Sequence, residues 1–157
     1  MENKEITSMN EPFIGSPNPT IDPELADSYV KKWKEGKYQL VPDTHINPTP
    51  NQLKLNSFSF SIDDFEDLSK LIKKYNNKND IKITDVNCRI GLKPNDSNKP
   101  DSPFTPYMYF EPILSNKKRL PWVPSYDESK SGEETLVSAC YDVCYPCPPT
   151  CPIGGGN

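Results

Sequence analysis

Apolar residues recur at helical spacing in two stretches of the chain. Leu25, Tyr29, Val30 and Trp33 share one face of a helix that Asp22 can cap, Pro23 can open and Gly36 would stop. Glu24 in its first turn complements the helix dipole. The second stretch is better formed. Ser61 stands at an N-cap position, and Asp64 occupies the capping-box site, one methylene shorter than the usual Glu. Phe60 and Phe65 flank them at hydrophobic-staple spacing. Phe65, Leu68, Leu71, Ile72 and Tyr75 then make an apolar stripe, with Lys73 and Lys74 toward the negative end of the dipole.

Alternation takes over elsewhere. Residues 53–60 alternate as a strand whose phase slips near Asn56 and Ser57, where a bulge is expected. Residues 81–92 read as a second strand. Val86, Cys88, Ile90 and Leu92 form its apolar face, with Cys88 expected in the core, and Asn87, Arg89 and Gly91 form the other. Residues 104–114 form a third, and Pro106 and Pro112 mark it as an edge strand. The pattern predicts an α+β fold, a small three-stranded sheet with two helices, Pro-rich arms and a Cys-rich irregular C-terminal tail.

Composition sharpens the boundaries. Only 34% of the 157 residues are hydrophobic and 18 are proline, so a compact core has to be concentrated in part of the chain. We expect a mobile N-terminal arm over residues 1–21, the α+β domain over 22–114, a Pro-rich and acidic linker over 115–134 and the tail over 135–157. Within the linker, Pro121, Trp122, Val123 and Pro124 favour polyproline II and suit docking against another protein.

A net charge of -4 provides no basic face for displacing counterions, which excludes duplex nucleic acid as an expected partner. No stretch approaches the roughly 20 apolar residues of a membrane helix, and no signal peptide is visible. The cytoplasm is the expected compartment, with secretion that needs no N-terminal signal left open.

The chemistry of the chain is sparse. His45 is the one histidine and lies in a proline-broken loop, which favours a packing role over that of a catalytic base. Phosphate loops, dinucleotide fingerprints and zinc-protease motifs are missing. Asp63, Asp64, Glu66 and Asp67 occupy the opening turns of a helix, where the dipole accounts for them. No enzymatic activity is expected.

Cys140, Cys144, Cys147 and Cys151 are the unusual constellation. Thiolates so close together share a metal, pair as disulfides or stay protonated. If they bind metal, zinc suits the two-residue spacing of Cys144 and Cys147, although a structural zinc site generally joins two such pairs across a longer loop. The run Cys144, Cys147, Cys151, Pro152 resembles the ferredoxin cluster motif but departs from it at Cys140, one residue too far away.

Trp33, Tyr38, Leu40, Val41 and Pro42, the Arg89–Leu92 run and the terminal Pro146–Cys151 segment together resemble a group of small uncharacterised proteins of Bacteroidota-type genomes. That resemblance spans roughly residues 25–152 and implies no activity. Three functions fit the chain: a protein-interaction or adaptor module, the precursor of a short Cys-rich peptide, and a metal- or redox-binding protein acting through the tail.

Overall fold

Residues 19–95, 103–125 and 135–147 are described by the computed structural model. Helix α1 (Pro23–Lys34) begins as its sequence dictates. Asp22 Oδ1 accepts hydrogen bonds from Glu24 N at 2.9 Å and Leu25 N at 3.1 Å, and Gly36 leaves the helix at φ +70°. Pro23, Ala26 and Val30 are buried and Tyr29 packs at the margin of the core, while Leu25, expected on the same face, is left exposed. Helix α2 (Ile62–Lys78) starts at Ser61, whose Oγ accepts from Asp64 N at 3.1 Å and donates to Asp64 Oδ2 at 2.9 Å. Leu68 and Tyr75 are buried, and Leu71 and Ile72 pack at the margin of the core. Phe65 stays half-exposed because its ring is spent on the staple, 6.0 Å from Phe60. Phe60 in turn meets Phe110 edge-on at 5.3 Å.

The expected strand over residues 53–60 breaks in two at its phase slip. β1 (Gln39–Val41) pairs in parallel with β2 (Gln52–Lys54), while β3 (Ser57–Ser59) pairs with a distant segment. Asn56 sits at the break, its Oδ1 accepting from Asp43 N at 2.8 Å. β4 (Ile83–Pro94) and β5 (Phe104–Leu114) form the long antiparallel ladder that organises the molecule.

Beyond it the chain departs from expectation. β6 (Trp122–Pro124), where polyproline II was expected, pairs with β7 (Leu136–Ser138), and β8 (Tyr145–Cys147) pairs antiparallel with β3. Among the described residues the ladders are all two-stranded, so the three-stranded sheet does not form as expected.

β5 is nevertheless not an edge. Phe110 N donates to Tyr141 O at 3.0 Å and Tyr141 N donates back at 2.8 Å. Beyond Tyr141, Ile21 N bonds Cys140 O and Asp142 N bonds Pro19 O, each at 2.9 Å. Phe110 therefore directs its backbone groups away from β4, and Pro106 and Pro112, an even number of residues away, do the same. The two prolines cost the β4–β5 ladder no donor. Pro112 O even accepts from Leu120 N at 3.0 Å.

The hairpin is covered on both faces. Ala26 and Val30 of α1 meet Tyr109 and Cys140 on one face, and Leu68 of α2 meets Phe110, Tyr141, Val143 and Cys144 on the other. A third cluster joins Tyr75, Ile83, Leu114, Val123 and Ala139. Gly91 allows α1 to approach: a Cβ there would stand 2.6 Å from Tyr109 Cε2 and 3.0 Å from Tyr29 Cβ. Residues 135–147, expected to be an irregular tail, supply buried side chains to all three clusters. The physical reason is area: a chain this poor in apolar residues cannot leave Ala139, Tyr141 and Val143 outside its core. The remainder of the tail, residues 148–157, and residues 1–18 of the N-terminal arm lie outside the described residues.

Candidate interaction surface

The tail cysteines do not share a site where they are described. Cys140 is held between α1 and Tyr109, and Cys144 lies on the opposite face of the hairpin beside Leu68 and Phe110. Burial pushes both thiols up to about 12, helped at Cys140 by the Glu111 carboxylate and at Cys144 by Cys88 and Asp142. Cys147 is placed by its backbone in β8, and Cys151 lies outside the described residues. Among the described residues no three His, Cys, Asp or Glu side chains are arranged to hold a metal. Cys88, expected in the core, is exposed. The reason is lateral: Leu68 of α2 packs on Phe110 and residues 141–144, which leaves Val86 and Cys88 of β4 uncovered. His45 is half-buried in the loop after β1, its backbone N–H donating to Pro42 O at 3.0 Å.

The polar face of β4 conceals a charge cluster. α1 contributes Asp27, β4 Arg89, β5 Glu111 and the turn after β5 Arg119. Arg119 grips Glu111 with two hydrogen bonds, Nε to Oε2 at 2.8 Å and Nη2 to Oε1 at 2.7 Å, and Nη2 also reaches Asp27 Oδ1 at 2.7 Å. Arg89 Nη1 lies 2.7 Å from the same Asp27 oxygen and 3.5 Å from Glu111 Oε2. Glu111 is fully buried. Burial acts to raise the Asp27 carboxyl, but the two guanidinium groups outweigh it and hold Asp27 below its ordinary value. Two cations and two anions leave the cluster neutral, and it ties α1 to the hairpin. The signal in the sequence was a lone Glu111 within an apolar strand, with Arg119 eight residues on.

A second ion pair reaches into the former tail. Lys93 of β4 pairs with Asp142, and its ammonium also lies 4.2 Å from the Tyr107 ring centroid.

The expected docking segment is placed on a framed ladder. Val123 is buried against Leu114 and Ala139, and Pro121 and Pro124 are half-buried. Pro121 O accepts from Ala139 N at 2.8 Å, and Ser125 N donates to Thr135 O at 2.7 Å. Trp122, directly opposite Ser138, is 38% exposed, and Leu136, its diagonal neighbour on the same face of the ladder, is 61% exposed; Val137, opposite buried Val123, lies on the other face. Sequence reasoning found Trp122 but not Leu136, because only the pairing of residues 122–124 with 136–138 brings them together.

No protein family, curated protein or solved structure matches the chain. Among the described residues no helix is long and apolar enough to cross a membrane.

Proposed function

We propose that the chain is a non-catalytic protein-interaction module that meets another protein through the β6–β7 ladder. The observation that carries this reading is a Trp and a Leu exposed on the same face of a ladder whose backbone is already ordered. Val123 and Ala139 anchor the ladder from beneath, so docking costs little further chain entropy. Large apolar side chains in such a patch suit a protein partner, and Trp is enriched among the residues that dominate binding energy.

The precursor reading has less support. Cleavage before Thr135 would strip Ala139, Tyr141, Val143 and Cys144 out of the core and expose what they cover. The metal and redox reading is weakened by the burial of Cys140 and Cys144 in separate apolar clusters.

A photo-crosslinking residue placed at Trp122 or Leu136 tests the proposal in living cells of the source organism. The expected result is an adduct with the same discrete protein from both positions, and none from exposed Glu66 on α2. Adducts that are absent, or identical at Glu66, would sink the reading. Leu136→Ser should weaken capture of the partner and leave the melting temperature nearly unchanged, since that side chain is largely on the surface.

A further inference from the structure

Two kinds of contact hold α1 on the hairpin. The apolar one is small: Ala26 and Val30 rest on Tyr109 and Cys140, with Ile21, Tyr29 and Tyr107 at the margin. α2, by contrast, sets Leu68, Leu71, Ile72 and Tyr75 into two clusters that include no residue of α1. The polar contact runs through one atom. Asp27 Oδ1 meets Arg89 Nη1 and Arg119 Nη2, each at 2.7 Å, and among the described residues no other side chain of α1 is ion-paired with the hairpin. The two guanidinium groups depend on Asp27 unequally. Arg119 also grips Glu111 through two hydrogen bonds and is 44% exposed to water. Arg89 is 13% exposed, and without Asp27 it is left with Glu111 Oε2, 3.5 Å away and already bonded to Arg119. α1 lies over it: Tyr29 Cβ stands 3.0 Å from where a Cβ on Gly91 would sit, two residues along the same face of β4. A covered cation without its partner is costly, and water can relieve it only where α1 lifts.

We propose that α1 is a charge-gated flap over Cys140 and Tyr109: loss of the Asp27 charge undocks the helix while the α2 face of the hairpin stays folded. The ends of α1 suit such a motion. The chain before it is tied down, Ile21 N donating to Cys140 O and Asp142 N to Pro19 O at 2.9 Å each. Beyond its other end Gly36 takes φ +70°, with no atom within 4 Å of a Cβ built there. Cys140 and Tyr109, both fully buried, are what the flap covers. The charged groups that face Asp27 are Arg89 of β4, Glu111 of β5 and Arg119 of the turn. The Cys140 thiol lies beneath, and burial pushes it up to about 12, so it carries no charge that could hold α1 instead. Burial acts to raise the Asp27 carboxyl, but the guanidinium groups of Arg119 and Arg89 together hold it below its ordinary 3.8. The hold on α1 is thus complete above pH 3.8 and is lost as the pH falls below it.

The test reads the thiols of the full chain, with buried Cys144 on the opposite face of the hairpin as the internal control. Asp27→Asn removes the charge at neutral pH and keeps the side chain's shape. Its Cys140 should react with a small thiol reagent about tenfold faster than in the wild type, and Cys144 at an unchanged rate, each site resolved by peptide mass spectrometry. In the wild type the same selective opening should follow acidification below pH 3.8, probed with a pyridyl disulfide, which reacts in acid. Arg89→Met added to Asp27→Asn leaves Arg119 paired with Glu111 and no cation under α1, so Cys140 should return toward wild-type protection. Equal acceleration of Cys140 and Cys144 in Asp27→Asn would mean a general loosening, and an unchanged Cys140 would mean that α1 does not need Asp27. Either result overturns the inference, as does a double variant whose Cys140 is as reactive as in Asp27→Asn alone.

Discussion

Glu111 sits in the middle of an apolar strand with none of its surface exposed, and its survival there depends on Arg119 and Arg89. A buried ion pair adds little net stability, but removing one partner leaves an uncompensated charge. Glu111→Ala is therefore expected to cost about 3–5 kcal/mol, read as a fall in the denaturation midpoint. Asp27→Asn, at a carboxylate nearly half-exposed to screening solvent, should cost far less. Equal losses would show that the cluster does not divide into a buried and an exposed carboxylate. At this scale the sequence was ambiguous. Arg89 alternates with the apolar residues of β4 as a solvent-facing residue would, and only the arrival of α1 on that face converts it into an interior partner. Gly91 is the residue that admits α1, and its role is visible only when Tyr29 and Tyr109 are seen around it.

Helix α2 is the element most fully legible in the chain, because its start is specified locally. The Ser61 cap, the Asp64 reply and the Phe60–Phe65 staple all act within a few residues, and all are present. Ser61→Ala should cost about 1 kcal/mol. Leu68→Ala, buried between Phe110 and Val143, should cost about 2–5 kcal/mol. Melting of Leu68→Ala indistinguishable from wild type would remove α2 from the core. The strands were read less completely. β4 and β5 were expected as strands over residues 81–92 and 104–114, close to their observed bounds, but their pairing and register come from the structure. The short strands β6, β7 and β8 were not expected, since three residues carry too little periodicity to announce a strand. The outer side of β5, expected to be an open edge, is instead closed by isolated bridges from Phe110 to Tyr141 and from Ile113 to Arg119.

The whole molecule is a hairpin held between two helices and closed by its own C-terminal segment. Burial of that segment gives a dependence on alkaline pH. Cys140, Cys144 and Tyr141 titrate near 12 in the fold, against ordinary values of 9.0 and 10.0. Because the folded state holds these protons more tightly, their contribution is complete below about pH 9 and is lost as the pH rises toward about 12. Melting temperatures should decline across that window, and a thiol reagent should label Cys88 in the native protein while Cys140 and Cys144 react only on unfolding. Flat melting with prompt labelling of Cys140 or Cys144 would show that the segment does not close the core. By itself the sequence determined the α+β class, both helices with their caps and the two long strands. These depend on contacts within a few residues or on composition alone. Tertiary structure decided which strands are edges, which charges are buried and that residues 135–147 belong to the core. Those outcomes follow from pairings between residues tens of positions apart, and local periodicity carries no information about which distant backbone will satisfy a strand.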